Sequence, residues 1–311
     1  MESVNDRRAF REGVAYSVSA YVIWGLFPLY VRLLHGVAPV EFVVHRCLWS
    51  LVFLGAVLTL RRQWAWLPRA LRDPVVRKNA VVTALFLSIN WFAFVWAVAQ
   101  GRIVDASLGY FINPLVSIAL GAVFLHERLS TRRKGAVVLA AAGVLWLVFL
   151  TGQVPWIGLT VAISFGIYGL LRKRASLGVI EGLTFETLVL APVALAILWW
   201  LAAHHQSRFF APLSSSSVTS GASVKLKAAL VLCGPITAIP LLLFGAGARR
   251  LPLSFLGILQ YVGPTLQLGV GIFVGHEAFS APKFVGYAFI WVAFLVASSE
   301  VFQSRGLAER S

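Results

Sequence analysis

Charged residues are scarce in this sequence. They make up 13% of its 311 residues, against about 25% in an average soluble domain. Hydrophobic residues reach 59%, the mean hydropathy is +0.82, and no polar stretch is long enough to fold as a separate soluble domain. The composition excludes an ordinary soluble protein. It predicts an all-α membrane protein, because a helix satisfies its own backbone hydrogen bonds in lipid.

Cysteine is almost absent. Cys47 and Cys233 both lie within apolar runs, so we expect small buried side chains and no disulfide framework. Enzyme motifs are missing as well: there is no H-E-x-x-H, no GxSxG, no phosphate-cradling loop, no ATP-binding motif and no paired Asp within an apolar run. The sequence therefore predicts no enzymatic activity, no metal and no cofactor.

Acidic residues are also few, 12 against 27 Lys and Arg, which gives a net charge of +15. Such a charge could indicate a nucleic-acid partner. The basic residues are instead distributed over many loops and are not gathered into one patch. This distribution favours the positive-inside pattern of membrane proteins, and no nucleic-acid binding is predicted.

Ten apolar runs are long enough to be membrane helices, since a bilayer core of about 30 Å needs about 20 residues of helix. The short basic and aromatic stretch 61–79 is predicted to lie along the membrane surface. The runs lie at 14–34, 40–60, 80–100, 104–125, 134–150, 153–171, 179–201, 226–247, 253–275 and 283–302.

The basic residues orient these runs. With a cytoplasmic N-terminus, 20 of the 27 Lys and Arg fall in cytoplasmic segments and five fall outside. The remaining two, Arg32 and Arg46, lie within runs. Both termini are therefore predicted to be cytoplasmic, with 1–13 and 303–311 as short tails.

One segment of the sequence is repeated. "SLGYFINPLVSIALGAVFLHERLS" begins at Ser107, and "GILQYVGPTLQLGVGIFVGHEAFS" begins at Gly257. The two copies lie in the fourth and ninth runs, so the repeat unit contains five helices. An odd unit is inverted in the membrane when it is repeated, which predicts two inverted halves, 14–150 and 153–302, as in many carriers. Identical residues, 150 positions apart, are Pro114 and Pro264, Gly121 and Gly271, His126 and His276, Glu127 and Glu277, and Ser130 and Ser280.

The repeated proline and glycine predict hinges. A proline inside a helix removes a backbone donor and bends the helix, and in lipid the freed carbonyl groups need protein or a wet cavity. We therefore expect Pro114, Pro264, Gly121 and Gly271 to act as hinges beside a central cavity. The alternative is an ordinary packing kink. His126–Glu127 and His276–Glu277 are interpreted as helix-end anchors, with gating as the alternative.

The chain resembles the RarD proteins of the EamA group within the drug/metabolite transporter superfamily. The resemblance runs from about Gly13 to Phe302 and is carried by "YVIWGLFPLYVRLL", "PVEFVVHRCLWSL", "INWFAFVWAV", "ASLGYFINPL" and "LGILQYVGPTLQ". It implies a ten-helix inverted-repeat carrier of a bacterial inner membrane. The family label of chloramphenicol sensitivity says little about the natural substrate.

Ionisable residues within the runs are the main site candidates, because a charge in lipid needs a partner or a purpose. Arg46, with His45 one position before it, is predicted to attract an anionic group of the substrate. Glu186 corresponds to Arg46 at an offset of 140 and is predicted to bind a cationic group or carry a coupling proton. Glu41 and Glu181 are weaker proton-coupling candidates. The alternative for all of them is a fixed ion network that braces helices, or snorkelling of Arg46.

Uncharged side chains near these positions are further candidates for contact with substrate, the amides being the stronger ones. They are Asn90, Trp91, Tyr110, Asn113, Gln260, Tyr261, Trp24 and Tyr168.

Taken together, the residues and the resemblance predict a secondary transporter that works by alternating access. We expect a proton-linked exporter or an exchanger of small polar metabolites or amphipathic drugs, with the lipid bilayer, the substrate and protons as its partners. The alternatives are an uncoupled facilitator, and a membrane scaffold or intramembrane enzyme that does not transport. The oligomeric state is left open.

Overall fold

The computed structural model describes residues 4–124, 126, 130–152, 154–211, 217–248, 250–251 and 259–308, and its regular secondary structure in these ranges is helical. This confirms the predicted all-α class. The helices are α1 Val4–Leu33, α2 Pro39–Leu60, α3 Leu67–Arg72, α4 Pro74–Ala99, α5 Ile103–Phe124, α6 Thr131–Thr151, α7 Trp156–Arg174, α8 Val179–Ala203, α9 Ser217–Ala248, α10 Val262–Gly269 and α11 Ala281–Ala308. A π-helical segment, Val270–Val274, continues α10.

Six of these helices, α1, α2, α4, α5, α8 and α9, are long and apolar enough to cross a membrane, by length and composition. The shorter apolar segments of α6, α7, α11 and of α10 with its π-helical continuation overlap the remaining predicted runs. The outside of the bundle is rich in exposed large apolar side chains, among them Phe149, Trp199 and Phe273. A surface of this kind is stable in contact with lipid and unstable in water.

Local sequence signals explain where two of the spans begin. Pro39 occupies the first turn of α2, where its missing N–H costs no hydrogen bond. Asp73 precedes Pro74 and accepts hydrogen bonds from the backbone N–H groups of Val75 and Val76 at 2.8 and 3.3 Å, which caps α4. Because of this cap, α4 begins at Pro74, inside the stretch 61–79 that was predicted to lie along the membrane surface. Of that stretch, only the short α3 is a separate helix.

Contacts between helix termini define the first of the two ends of the bundle, which we call the Glu277 end. The Glu277 carboxylate, beyond α10, accepts hydrogen bonds from the first residues of α5. The Arg32 guanidinium, in the last turn of α1, donates to the Val274 carbonyl at 2.7 Å. Arg208, beyond α8, donates to the Gly36 carbonyl at 3.3 Å.

At the opposite end, which we call the Arg172 end, the termini of α5, α7 and α8 meet. Arg172 in α7 donates to the Gly178 carbonyl before α8 at 2.7 Å, and Arg174 donates to the carbonyl of Phe124 at the end of α5. Consecutive long helices therefore alternate in direction between the two ends.

Glycine contacts recur at the repeat offsets. A Cβ atom built on Gly25 in α1 would lie 2.7 Å from the Leu266 Cβ in α10. A Cβ atom built on Gly166 in α7 would lie 2.8 Å from the Val116 Cγ1 in α5. Gly166 follows Gly25 by 141 positions, and Leu266 follows Val116 by 150. Thus α1 meets α10 in the way that α7 meets α5, with a glycine at each close approach.

The two copies of the duplicated segment are alike at one position and differ at another. His126 and His276 both have φ of +52°, a left-handed conformation common just after a helix. Pro114 lies inside α5, whereas Pro264 is the third residue of α10, where a proline costs no intrahelical hydrogen bond. The irregular backbone of the second copy is the π-helical segment that contains Gly271. The hinge roles of these residues stay predictions.

Candidate functional site

Arg46 is the central feature of the site. It projects from α2 into the bundle with 6% of its surface exposed. Its guanidinium carbon lies 4.7 Å from the ring centroid of Phe27 in α1 and 4.5 Å from that of Trp91 in α4, within cation–π distance of both. In the part of the chain that the structure describes, its buried Nε has no hydrogen-bond partner and no carboxylate pairs with it. The aromatic faces stabilise the charge without neutralising it, so the arrangement can bind an anion.

Glu186 is the corresponding feature at the other side of the bundle. It projects from α8, is 1% exposed, and accepts a hydrogen bond from the Tyr168 hydroxyl at 3.1 Å. Its Oε1 lies 3.6 Å from an Arg172 nitrogen, an ion pair without a hydrogen bond. Asn79 and Thr83 of α4 also line the cavity beside it, whose volume is about 20 Å³. A space of this size holds about one water molecule.

The two charged groups have matching surroundings. Glu186 follows Arg46 by 140 positions, and Tyr168 follows Phe27 by 141. Arg46 lies over the ring of Phe27, and Glu186 accepts a hydrogen bond from the hydroxyl of Tyr168. Arg46 lies seven residues after the start of α2, and Glu186 lies seven after the start of α8. At 1.5 Å per residue, each charge is about 10 Å from its own end of the bundle. Arg46 therefore lies nearer the Glu277 end of the bundle, and Glu186 lies nearer the Arg172 end.

Glu41 and His45 belong to a separate hydrogen-bond group at the Glu277 end. Glu41 accepts from the Ser207 hydroxyl at 2.6 Å and from the backbone N–H groups of Arg208 and Phe209 at 3.1 Å each. His45 accepts from the Trp49 indole N–H at 3.1 Å and lies 3.9 Å from Glu41. This group holds the segment after α8 against α2. The structure gives it no described contact with the rings that surround Arg46.

Asn90 and Tyr110 connect three helices beside Arg46. The Asn90 amide in α4 donates to the Val161 carbonyl at 3.0 Å and to the Ser164 hydroxyl at 3.3 Å, both in α7. The Tyr110 hydroxyl in α5 donates to the Asn90 oxygen at 3.4 Å. Interhelical hydrogen bonds of this kind stabilise membrane bundles. Asn113, one turn further along α5, is buried, and its side-chain oxygen has no partner among the described residues.

The remaining sequence candidates lie further from the two charges. Trp24 packs against Phe244, with ring centroids 5.9 Å apart, and its carbonyl accepts from Gln267 at 3.0 Å. Tyr261 packs its ring against Phe111. Gln260, next to Tyr261, is partly buried, and Glu181 is partly buried in the first turn of α8.

Glu277 caps a helix of the other half of the chain. Its carboxylate accepts from the backbone N–H groups of Ile103 and Val104 at 2.5 and 2.8 Å, in the first turn of α5. Burial raises the pKa of the Glu277 carboxyl above its ordinary value, and these two donors act in the opposite direction. The predicted role of a helix-end anchor fits these contacts. The equivalent Glu127 lies outside the described residues.

A lateral groove with a volume of about 510 Å³ lies beside Arg46. Helices α2, α4, α7 and α8 form its walls, which are almost entirely apolar. The residues that line this lateral groove are Val40, Val43, Val44, Cys47, Ser88, Ile89, Trp91, Phe92, Ala93, Trp96, Trp156, Thr160, Leu190, Val193, Ala194 and Ile197.

Three contributions were missed by sequence reasoning: Phe27 and Arg172 beside the charges, and the close glycines. Phe27 could have been found from the repeat, because it matches Tyr168 at the offset that relates the first helices of the two halves. Arg172 carried no such signal, because it follows the predicted sixth run and was counted only for orientation, whereas the structure extends α7 through it. Among the described residues, no group of three His, Cys, Asp or Glu could hold a metal ion.

A bundle of long apolar helices with charged residues buried inside defines a polytopic membrane protein. Comparison with known proteins adds the family. The EamA-like transporter family matches residues 11–149. The chain is 44% identical to "Uncharacterized transporter YojE" of Bacillus subtilis (strain 168), over 92% of this chain and 93% of that protein. It is 39% identical to "Protein RarD" of Escherichia coli (strain K12), over 94% of this chain and 95% of that protein.

A further relative is "Chloramphenicol-sensitive protein RarD" of Pseudomonas aeruginosa, 34% identical over 92% of this chain and 93% of its own. A crystal structure matches 93% of this chain and 97% of its own with a TM-score of 0.58 and 20% identity, a likeness of fold alone. The chain belongs to the EamA-like transporter family and is of the RarD type. It is a multi-pass transporter of a bacterial inner membrane, as the resemblance implied.

Proposed function

We propose that this protein is a secondary transporter in which the halves 14–150 and 153–302 are inverted repeats that move against each other. Both termini are cytoplasmic, so the Arg172 end faces the cytoplasm. The transporter is a proton-linked exporter or an exchanger of small polar metabolites or amphipathic drugs. The observation that carries the proposal is the matched burial of Arg46 and Glu186 at opposite sides of one bundle.

The contacts of the helices support the inverted arrangement. The two glycine contacts, Gly25 with Leu266 and Gly166 with Val116, follow the repeat offsets and run between corresponding pairs of helices, α1 with α10 and α7 with α5. His126 and His276 share a backbone conformation that is uncommon for a residue other than glycine. Inverted repeats place substrate and ion sites between the halves, near the middle of the bilayer.

In this proposal, Arg46 binds an anionic group of the substrate. A guanidinium that lacks a carboxylate partner and is held between aromatic rings is in place for such a group, since binding adds a charge-assisted hydrogen bond without breaking an existing ion pair.

Glu186 carries the coupling proton. Its cavity of about 20 Å³ admits about one water molecule and is too small for a substrate group. This favours the proton over a cationic group, the other role that the sequence allowed. The nearby Arg172 stabilises the ionised carboxylate, and protonation of Glu186 releases this ion pair, which gives the proton a means of changing helix contacts.

Transport in sealed vesicles tests the coupling. The purified protein is reconstituted into proteoliposomes, and counterflow is measured for a panel of amino acids, nucleosides, sugars and organic acids. We expect exchange of at least one anionic solute, faster uptake under an imposed pH gradient, and loss of both in Arg46→Ala. Glu186→Gln should retain exchange and lose the response to the gradient. Glu12→Gln, which removes a partly exposed carboxylate of α1 that pairs with Arg8 and Arg250, is the matched control.

The alternatives predict other results. A parent protein that exchanges solutes but ignores the pH gradient, with Glu186→Gln still active, is a facilitator. If the parent responds to the gradient and Glu186→Gln responds equally, Glu186 does not carry the coupling proton. Absence of exchange for every solute supports a membrane scaffold or an intramembrane enzyme.

Labelling tests the orientation of the two ends. Ser176, at the Arg172 end, and Ser280, at the Glu277 end, are both exposed, and each is replaced by cysteine in turn. Cys47 and Cys233 are buried and should contribute little background. In intact cells, we expect a membrane-impermeant maleimide to label the Ser280→Cys protein and to spare the Ser176→Cys protein. Labelling of both from one side would contradict the inverted arrangement.

A further inference from the structure

We propose that the lateral groove binds the apolar body of an anionic amphiphile that enters from the bilayer, and that the anionic group of this molecule reaches Arg46 past Trp91. This inference rests on the proposed role of Arg46 and extends it. It adds a second part to the substrate site, a route of entry, and the class of substrate that fits both.

The groove opens on the lipid-facing side of the bundle. Residues on its rim are exposed: Ile89 and Phe92 on α4, Trp156 at the start of α7, and Val193 on α8, the last with 59% of its surface accessible. In a multi-pass membrane protein, the medium in contact with these side chains is hydrocarbon. A molecule that occupies the groove therefore arrives from the membrane and not from water.

The inner wall of the groove is shared with the Arg46 site. Trp91 lines the groove and also provides a ring face 4.5 Å from the guanidinium carbon. Val44 and Cys47, which lie on either side of Arg46 in α2, line the groove as well. The indole of Trp91 thus separates an apolar space from a buried, unpaired charge. Rotation of this one side chain would join the two.

The chemistry of the two spaces specifies the ligand. The groove offers almost no hydrogen-bonding group, and the Ser88 hydroxyl within it donates to its own helix, to the Leu85 carbonyl at 2.8 Å. A polar body would be bound poorly there, because its polar atoms would lose their hydrogen bonds. The Nε of Arg46 lacks a partner among the described residues. A volume of about 510 Å³ suits a drug-sized molecule. The fitting ligand has an apolar body and one terminal anion such as a carboxylate.

Photolabelling tests this site without requiring transport. The probe is a medium-chain fatty acid with a diazirine near the end of its chain, added to the purified protein in lipid nanodiscs, and the labelled residues are mapped by mass spectrometry. The matched probe is the corresponding primary alcohol, which has the same chain and no charge. We expect the acid to label groove residues and the alcohol to label them more weakly by about tenfold, since a hydrogen bond to a charged group is lost.

Two pairs of variants separate the parts of the site. Val193→Trp fills the groove from its rim and should abolish labelling of groove residues by the acid. Leu195→Trp places the same ring on the same helix, at a position that is similarly exposed (56%) but does not line the groove. In this variant, the acid should label groove residues as it does in the parent. Arg46→Gln should reduce labelling by the acid to the level of the alcohol, whereas Arg46→Lys, which keeps the charge, should retain most of the difference between the two probes.

Three results would overturn the inference: equal labelling by acid and alcohol, labelling outside the groove, or equal labelling of the Val193→Trp and Leu195→Trp proteins. The proposed function fails differently. If Val193→Trp leaves exchange of a water-soluble anion intact while Arg46→Ala abolishes it, the transporter assignment stands and the groove is not part of its substrate site. If proton coupling is absent but the acid labels the groove as expected, this inference stands alone.

Discussion

A methyl group placed at Gly25 would test how tightly α1 and α10 are packed. The Cβ atom of an alanine at this position would lie 2.7 Å from the Leu266 Cβ and 3.1 Å from the Gly263 carbonyl oxygen. Carbon atoms in contact are normally about 3.5–4.0 Å apart, so the helices must separate by about 1 Å. Neither atom belongs to the free end of a flexible side chain, and a rotamer change cannot make room.

The magnitude follows from two opposing effects. Overpacking of a close contact costs about 1–3 kcal/mol, whereas alanine is favoured over glycine inside a helix by about 1 kcal/mol. We therefore expect Gly25→Ala to lower the free energy of unfolding by about 1–2 kcal/mol. The matched control is Gly169→Ala in α7, where a Cβ meets no atom within 4 Å. There only the helix preference acts, and stability should rise by about 0.5–1 kcal/mol.

Reversible unfolding in mixed micelles, titrated with sodium dodecyl sulfate, measures both variants on the same scale. Gly166→Ala should fall between them, because a Cβ there meets the side chains of Val116 and Leu120, which can adjust. If Gly25→Ala is as stable as Gly169→Ala, then α1 and α10 are not in the close contact described above. The reciprocal packing that supports the inverted repeat would then lose one of its two members.

Further predictions concern the two carboxylates at the Glu277 end. Glu41→Gln should destabilise the protein by about 1–3 kcal/mol, because an amide cannot accept all of the hydrogen bonds that the segment 207–209 donates. The backbone amides of 207–209 should then exchange hydrogen faster. Unchanged exchange would refute the role of Glu41 in holding this segment against α2. Glu277→Ala should free the first turn of α5, at a cost of about 1 kcal/mol as for other helix caps. The amides of Ile103 and Val104 should then exchange faster, and full retention of their protection would show that the carboxylate does not cap them.

The helices were predictable because apolar runs and proline mark them directly. The second run was predicted at 40–60, and α2 spans Pro39–Leu60. The start of α4 was predicted late, at 80, because the hydropathy of 74–79 is low, while the Asp73 cap begins the helix at Pro74. The ninth run was predicted from 253. The described helix begins at Val262, and 252–258 lie outside the described residues.

The charges of the site were predictable, whereas their partners were not. Arg46 and Glu186 stand out as ionisable side chains within apolar runs, and the structure buries both. The partners depend on which helices meet and at what height, and a run of apolar residues does not encode this. Glu41 shows the limit. It was a candidate for proton coupling, and its hydrogen bonds reach residues that follow it by 166 to 168 positions in the chain. Such a contact leaves no trace in local sequence, and the coupling role of Glu41 stays a prediction.

The position of Trp91 gives the molecule an optical reporter of its own. An indole with a full positive charge 4.5 Å from its ring has its emission energy set partly by that charge. Of the eleven tryptophans in the chain, Trp91 is the one for which this contact with Arg46 is seen. Any event that neutralises the guanidinium or turns the indole away from it shifts the emission of Trp91. The difference between the emission spectra of the parent and of Trp91→Phe isolates that shift. Binding of a ligand at Arg46 could therefore be followed by intrinsic fluorescence, without a label and before the natural substrate is known.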